Sequence, residues 1–149
     1  MEALDTDALF MHKAIEQAQR AFDEDEVPIG AVVVCNNKII GKGYNQTEKL
    51  KDITAHAEML AITAASAHLN SKYLDECTLY VTIEPCVMCA GAIKHARFKS
   101  IVIGAMEPKT GFSNYVQSHF NSKTTLKQGV LETECKTLMQ TFFAAKRKN

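Results

Sequence analysis

Residues 77–95 read CTLYVTIEPCVMCAGAIKH, and their pattern changes from strand to helix at Pro85. The mostly apolar and β-branched residues 77–83 predict a buried strand. Proline suits the start of a helix because its missing N–H has no partner in the first turn, so the ten residues after it are predicted to be helical. Residues three apart share one helix face, and Cys86 and Cys89 can therefore direct both sulfur atoms at one ion.

A C-x-x-C pair alone has several interpretations: a redox pair, half of a structural zinc site, or coincidence. The sequence holds no second C-x-x-C and no H-x-x-x-H that would complete a structural site with four ligands. The start of a helix carries partial positive charge, which favours the thiolates that a metal requires. The pair is therefore a candidate for metal binding that needs a third ligand.

A second motif, HAE at residues 56–58, supplies that ligand. It lies at the start of another predicted helix, residues 55–68, for which Thr54 is placed as the cap. Taken singly, a histidine at a helix start is more often structural than a ligand, and a lone glutamate is usually a solvated charge. Together, H-x-E followed by P-C-x-x-C is the signature of zinc deaminases.

The combination predicts a catalytic metal site. His56, Cys86 and Cys89 would leave the fourth position of a tetrahedral zinc ion open for water, as catalytic sites do. Zinc lowers the pKa of such a water to roughly 7 and makes hydroxide available. Glu58 is close enough to accept the water proton and to deliver it to the ring nitrogen and the departing amine. The sequence thus predicts hydrolytic deamination by a zinc-bound hydroxide.

Length and composition predict one soluble domain over residues 1–149, with 46% hydrophobic and 23% charged residues. No apolar run approaches the roughly 20 residues that cross a bilayer, and the first residues lack the pattern of a secretory signal. A cytoplasmic protein without a membrane segment is expected. In such a protein Cys35, Cys77 and Cys135 are expected to be small buried thiols.

The remaining elements predict alternating helices and strands, hence an α/β layered domain with a sheet covered by helices. The residues at the turn between the second and third elements, Asn36 and Asn37, indicate a hairpin. The other predicted elements are a helix over 6–25, strands over 31–35, 38–43, 100–105 and 129–131, and a helix over 132–148.

The formal net charge is zero, so any contact with nucleic acid has to come from local basic patches. Two candidates exist. One is formed by Lys94, His95, Arg97 and Lys99, and the other by residues 146–148. The second patch is equally well explained as a solvated helix end, because cations are favoured at helix C-termini.

Three stretches resemble the bacterial tRNA adenosine deaminases of the cytidine and deoxycytidylate deaminase superfamily. They are EVPIGAVVV at 26–34, TAHAE at 54–58 and LYVTIEPCVMCAGA at 79–92, and the similarity continues at 103–105 and around 129–131. The sequence departs from the family pattern at Ile53, where proline is common, and at Glu107, where aspartate is frequent. The segment from Phe112 to Lys127, which in the family contacts the anticodon loop, does not match either.

The resemblance implies a three-layer α/β/α fold with a central mixed sheet of about five strands. It implies conversion of the wobble adenosine of an arginine tRNA to inosine by a homodimer with one Zn²⁺ per subunit. His56, Cys86 and Cys89 would hold the zinc and Glu58 would move protons. Asn45 would hydrogen-bond the flipped base, although an asparagine also suits a turn. Val27 and Pro28 would form part of the pocket wall, or they would only contribute to packing.

Two other functions remain open at the level of sequence. A free-base or nucleoside deaminase, acting on guanine or cytosine, shares the same zinc signature. The other alternative is a non-catalytic zinc module that binds RNA or another protein, and Glu58 argues against it because a purely structural site has no use for an acid beside an open ligand position. For the homodimer, the helix that begins at Cys86 is the predicted contact, because Ala90, Gly91 and Ala92 allow close packing.

Overall fold

The computed structural model describes residues 3–115 and 120–147, with only the backbone given for residues 3–5. The helices are α1 (Ala3–Asp23), α2 (Thr47–Leu50), α3 (Ala57–Leu69), α4 (Val87–Ala96) and α5 (Glu132–Arg147), with a 3-10 turn at Phe112–Asn114. The strands are β1 (Gly30–Cys35), β2 (Lys38–Tyr44), β3 (Thr78–Ile83), β4 (Ser100–Ala105) and β5 (Thr125–Gln128). Within the described ranges, no helix is long and apolar enough to cross a membrane.

The strands form one mixed sheet in the order β2-β1-β3-β4-β5. β1 pairs antiparallel with both β2 and β3, while β3, β4 and β5 run parallel. The predicted hairpin is confirmed, since Asn36 and Asn37 both have the positive φ angles of a tight turn. The parallel pairs place the carboxyl ends of β3 and β4 at the same edge of the sheet.

Helices cover both faces of this sheet, which confirms the predicted three-layer α/β/α architecture. Alternate residues of the central strands point to opposite sides, so each face has its own apolar core. On one side Val32, Tyr80 and Val102 pack with α1 and α5. On the other side Val33 and Leu79 pack with α3 and α4. Because both faces are covered, the strands read as nearly continuous apolar runs.

The last strand lies elsewhere than predicted. Residues 129–131 were expected to form it, but β5 precedes them, and Gly129 and Leu131 have positive φ angles that belong to a turn before α5. β5 escaped the sequence pattern because all four of its residues are exposed and no buried face imposes alternation. Lys127 anchors it through an ion pair of 3.0 Å with the buried Asp7 of α1.

Close contact between β2 and α3 sets the height of the α3 N-terminus above the sheet. A Cβ atom on Gly43 would collide with the carbonyl oxygen of Ala57, in the first turn of α3. Gly41 meets the backbone of Ala61 and Ala65 in the same manner, one and two turns further along. Small residues on both elements therefore bring α3 close to the sheet and fix the position of the residues at its start.

Candidate active site

Two helix N-termini converge to form the site. His56 is the N-cap residue of α3 and Cys86 is the N-cap residue of α4, and both have extended backbone angles. Pro85 thus lies just before the cap, and α4 begins one residue later than predicted. The two cap side chains face each other, and the Cys86 sulfur also contacts Cys89 in the first turn of its own helix.

Thr54 does not cap α3, contrary to the prediction from sequence. Its hydroxyl donates instead to Asp52, at 2.7 Å, and its amide donates to the same carboxylate oxygen at 2.8 Å. This local turn orders the chain that leads into His56. The functional histidine itself occupies the cap position, where its side chain lies at the exposed end of the helix.

The three predicted ligand atoms lie together. The Nδ1 atom of His56 is 3.6 Å from the Cys86 sulfur and 3.5 Å from the Cys89 sulfur. Each pair of these three ligand atoms lies within 4.8 Å. A tetrahedral zinc ion with Zn–N and Zn–S bonds of about 2.0 and 2.3 Å separates nitrogen from sulfur by about 3.5 Å. The donor set and its spacing therefore fit zinc with one position left over.

The electrostatics of the site favour a bound cation. The hydrogen bond with the Cys89 thiol, followed by that with His56, lowers the pKa of the Cys86 thiol to about 4. In return, the hydrogen bond with Cys86 raises the pKa of Cys89 and also that of His56. Two helix N-termini add positive potential at this point. The site thus holds a thiolate at neutral pH, which is the form that coordinates zinc.

Glu58 lies in the first turn of α3 beside these sulfur atoms. Its side chain is buried, with 3% of the residue exposed. Burial raises the pKa of its carboxyl to about 7, and the nearby Cys86 contributes in the same direction. A carboxyl group whose pKa lies near neutrality can both accept and release a proton, which is the property a general acid–base group needs.

A cavity of about 230 Å³ opens next to His56, Glu58 and Cys86. Val27 and Asn45, two of the residues predicted to contact substrate, line it. Asn45 is buried, and its side-chain oxygen accepts a long hydrogen bond of 3.4 Å from the Thr47 amide. Pro28 is buried but outside the lining, which includes its neighbour Ile29 instead.

Glu84 and Glu26, two buried glutamates near the cavity, were not singled out from the sequence. Glu84 lines the cavity, and Glu26 accepts hydrogen bonds from the amides of Glu48 and Lys49 at the start of α2. In the sequence, each of these glutamates stands out only as an acidic residue close to an apolar strand. This pattern could have marked both as unusual, but it could not identify their hydrogen-bond partners, which lie more than 20 residues away in the chain.

The two basic patches differ in their position relative to the cavity. Arg97 and Lys99 line a cleft of about 770 Å³ at the far end of α4, away from the metal ligands. Arg147 instead lines a groove of about 640 Å³ between α5 and the carboxyl ends of β3 and β4, the edge of the sheet that also leads into the cavity through Glu84, and Lys146 pairs with Asp25. Lys148 is outside the described residues. The other lining residues of this groove include cations and apolar groups, among them Lys109, Lys136, Met106, Met139 and Phe143.

Two of the three remaining cysteines are buried as expected, namely Cys77 and Cys135, while Cys35 is partly exposed. Burial raises the pKa of Cys77 and of Cys135 to about 12 in each case. These thiols are therefore protonated at neutral pH. They contribute packing, and none of the three belongs to the group of metal-ligand atoms.

Comparison with known proteins agrees with this geometry. The family model of the cytidine and deoxycytidylate deaminase zinc-binding region matches residues 4–105. A tRNA-specific adenosine deaminase of Bacillus subtilis is 43% identical over 147 residues, which cover 95% of this chain and 91% of that protein. The match includes the part of the chain that carries all three metal ligands and Glu58.

Solved structures share the fold. A structure from work on A-to-I editing by tRNA:A34 deaminases at the wobble position of transfer RNA has a TM-score of 0.79 and 38% identity, covering 87% of this chain and 97% of that one. A guanine deaminase of Bacillus subtilis has a TM-score of 0.63 and 39% identity, covering 66% and 63%. With the family match and the zinc-fitting cluster, the chain belongs to the cytidine and deoxycytidylate deaminase family and is a zinc-dependent hydrolytic deaminase.

Proposed function

We propose that this deaminase converts the adenosine at the wobble position of a tRNA anticodon to inosine. The observation that carries the proposal is a small cavity at the metal ligands together with a larger basic groove at the same edge of the sheet, joined to it by the contact between Glu84 and Glu107. A cavity of about 230 Å³ is smaller than the roughly 300–1,000 Å³ of pockets that enclose drug-sized ligands, and it suits one flat base. The groove of about 640 Å³ suits the rest of a polynucleotide.

The chemistry divides between the metal and one carboxyl group. Zinc held by His56, Cys86 and Cys89 would supply a Lewis acid that makes water nucleophilic near neutral pH. The Glu58 carboxylate takes up the two protons of the attacking water one after the other, and it delivers the first to the ring nitrogen and the second to the departing amine as the carbon–nitrogen bond breaks. Water enters, ammonia leaves, and the adenine base becomes hypoxanthine.

The cavity walls orient the base. In this proposal the Asn45 side chain hydrogen-bonds an edge of the flipped base, while Val27 provides an apolar wall against its face. Pro28 supports this wall from behind, since it is buried next to Val27 and Ile29. A base is removed from its stack before such an enzyme can act on it, and an anticodon loop presents its bases at low cost.

The groove has the chemistry expected for an RNA loop. Lys109, Lys136 and Arg147 provide cations for phosphates, and Phe143 offers an aromatic ring that is 39% exposed. The similarity to relatives named tRNA-specific adenosine deaminases makes an arginine tRNA the first substrate to test. The similarity to bacterial tRNA-specific adenosine deaminases also supports the proposal that the protein acts in the cytoplasm.

The decisive experiment uses the zinc-loaded protein and an anticodon stem-loop with adenosine at the wobble position. We expect inosine at that position, detected by sequencing, and a loss of about 10²-fold or more in rate for Glu58→Gln with an unchanged zinc content. The isosteric change removes only the ability to carry a proton. Normal turnover by Glu58→Gln would contradict the mechanism, whatever the substrate is.

A second candidate is deamination of a free base, and the similarity to the guanine deaminase favours it as the alternative. The same protein preparation is therefore incubated with guanine and with cytosine, and ammonia release is measured. If ammonia is released from a free base and no inosine forms in the stem-loop, the substrate is a free base and not RNA. The proposed roles of zinc and Glu58 would be unchanged by that result.

We also propose that the protein is a homodimer that associates through α4. Val87 and Met88 are large apolar residues on its surface, and a Cβ on Gly91 would meet no atom within 4 Å in the described part of the chain. Ala90, expected from the sequence to be part of this contact, is buried in the protomer's own core. The proposed dimer contact therefore includes fewer residues of the stretch 90–92 than the sequence predicted.

The dimer is tested by light scattering at micromolar protein concentration. A monomeric wild-type protein would contradict it. Gly91→Glu places a charged side chain on the proposed contact without an intrachain clash, so we expect a shift toward monomer with an unchanged unfolding midpoint of the protomer. Gly91→Ala is the matched control and should remain dimeric.

A further inference from the structure

Glu84 is a buried carboxylate next to the metal ligands for which the deamination mechanism has no use. It follows β3 directly, is 4% exposed and lines the substrate cavity. One side-chain oxygen accepts a hydrogen bond of 3.0 Å from the Glu107 amide, and the other accepts one of 2.9 Å from the Ser113 amide. Both oxygens are therefore occupied by backbone donors from one segment.

The segment 106–115 is wrapped tightly around this carboxylate. A Cβ atom on Gly111 would collide with the Glu84 Oε1 atom, so the backbone lies against the carboxylate. The Phe112 amide donates to the Pro85 carbonyl at 2.9 Å. Three hydrogen bonds thus attach the segment to the two residues that immediately precede the metal ligand Cys86.

The same segment is ordered internally by Glu107. The Glu107 carboxylate accepts hydrogen bonds from the amide of Lys109 at 2.8 Å and from the hydroxyl of Thr110 at 2.9 Å. The hydroxyl of Tyr115 donates to the Lys109 carbonyl at 2.8 Å. The segment is thus ordered by its own hydrogen bonds, and the two amides that bond Glu84 attach it to the protein.

This segment connects the cavity with the basic groove. Glu107 and Lys109 line the groove, and the amides of Glu107 and Ser113 bond Glu84, which lines the cavity. Tyr115, at the end of the segment, is 65% exposed. In the proposed complex, a polynucleotide with one base in the cavity and its backbone in the groove passes over this segment. The position of the segment then decides whether the base reaches the metal ligands in a productive pose.

We propose that Glu84 is a positioning residue that holds residues 107–113 at the mouth of the active site and thereby determines how well the polynucleotide substrate is bound. The inference rests on the proposed RNA substrate. Glu84 takes no part in bond making, since neither of its oxygens faces the reaction without a backbone donor. Its removal affects substrate binding and leaves the metal in place.

The test is Glu84→Gln in the zinc-loaded protein. Glutamine keeps the shape but offers one acceptor and one donor group, so one of the two amides faces an N–H instead of an oxygen. We expect amide exchange at Glu107 and Ser113 to accelerate about tenfold or more. KM for the anticodon stem-loop should rise about tenfold, with a smaller change in kcat and no loss of zinc.

Two further variants separate positioning from a general loss of stability. Gly111→Ala disturbs the same contact from the opposite side, so it should raise KM in the same way, and the double variant should be no worse than the more affected single one. Asp7→Asn is the matched control. Asp7 is another buried carboxylate, bonded to Tyr80 and Lys127 away from the cavity, and its substitution should leave KM unchanged.

Each outcome of these measurements decides the proposal. Unchanged amide exchange and KM in Glu84→Gln would overturn it. Loss of zinc, or a fall in kcat at constant KM, would also overturn it, because the carboxylate would then belong to the metal site or to the chemistry. Failure of the wild-type protein on the stem-loop would refute the RNA substrate separately, and the exchange and zinc measurements would still test the attachment of the segment.

Discussion

Cys86 and Cys89 are identical in chemistry, three residues apart, and acquire different properties from their places on one helix. Cys86 caps α4, is partly exposed and carries a thiol whose pKa is lowered to about 4 by its hydrogen bonds with Cys89 and His56. Cys89 lies one turn later, fully buried, and its pKa is raised. The contact between the two sulfurs thus favours the thiolate of Cys86 and the thiol of Cys89, and a metal ion bound by both would displace the proton of Cys89.

At the residue scale we predict that Cys86→Ser loses zinc. Removal of a partner that merely orients a ligand costs about 10–100-fold in affinity, so the loss of a direct ligand should cost at least about 100-fold. Zinc is quantified per subunit after dialysis against a weak chelator. Cys35→Ser, which alters a partly exposed thiol outside the ligand group, is the control and should retain zinc; equal zinc in both variants would contradict the ligand assignment.

At the scale of elements, the site depends on how closely α3 and α4 approach the sheet. The start of α3, with His56 as its cap and Glu58 in its first turn, can lie this close to β2 because Gly43 has no side chain where the Ala57 carbonyl oxygen lies against it. α4 starts where β3 ends, with Glu84 and Pro85 as the connection. A helix that was displaced by even a side chain's width would separate the nitrogen from the two sulfurs.

We therefore predict that Gly43→Ala destabilises the protein by about 1–3 kcal/mol, because the new methyl group forces backbone shifts in a well-packed region. The zinc affinity of Gly43→Ala should fall more than that of another variant with the same loss of stability whose substitution lies away from the contact between β2 and α3. Urea unfolding and zinc titration measure the two effects. Lys42→Ala, at the exposed neighbouring position of the same strand, should change neither, and an unaffected Gly43→Ala protein would show that α3 can adjust freely.

At the scale of the whole molecule, the two ends of the sheet have separate roles. The cavity and the basic groove lie at the carboxyl ends of β3 and β4, and the larger cleft lies at their other ends, where residues 75–76, 97–99 and 121–124 meet. A strand of six residues spans about 20 Å. Cations in the far cleft are thus too distant to contact phosphates next to a base in the same protomer's cavity.

For this reason we predict that Lys136→Ala combined with Arg147→Ala raises KM for the stem-loop, by about fivefold for each phosphate that no longer meets a cation. The slope of log KM against log salt should fall by about 0.7 per phosphate, as for single-stranded nucleic acid. Lys94→Ala combined with Lys99→Ala removes the same number of charges at the far end and should leave both quantities unchanged. A larger rise in KM for Lys94→Ala combined with Lys99→Ala would instead place the RNA-binding surface at the far cleft.

The sequence alone determined the features that arise within a few residues of one another. The metal ligands and Glu58 were predictable because H-x-E and P-C-x-x-C place them at helix starts, where local backbone geometry already fixes which side chains share a face. Apolar runs identified the central strands for a similar reason, since burial on both faces leaves its mark on every residue. The α/β/α architecture followed from the alternation of elements together with the resemblance to a known family.

The tertiary structure decided whatever depends on residues that are distant in the chain. The location of β5, the positions of the two basic patches relative to the cavity, and the partners of Glu84 could not be read from local patterns. β5 is exposed and held by parallel pairing with β4 and by Asp7, so its own residues carry no periodic signal. Glu84 and Ser113 meet only because the chain folds back across 29 residues, and hydrogen bonds across such distances depend on packing that no short motif encodes.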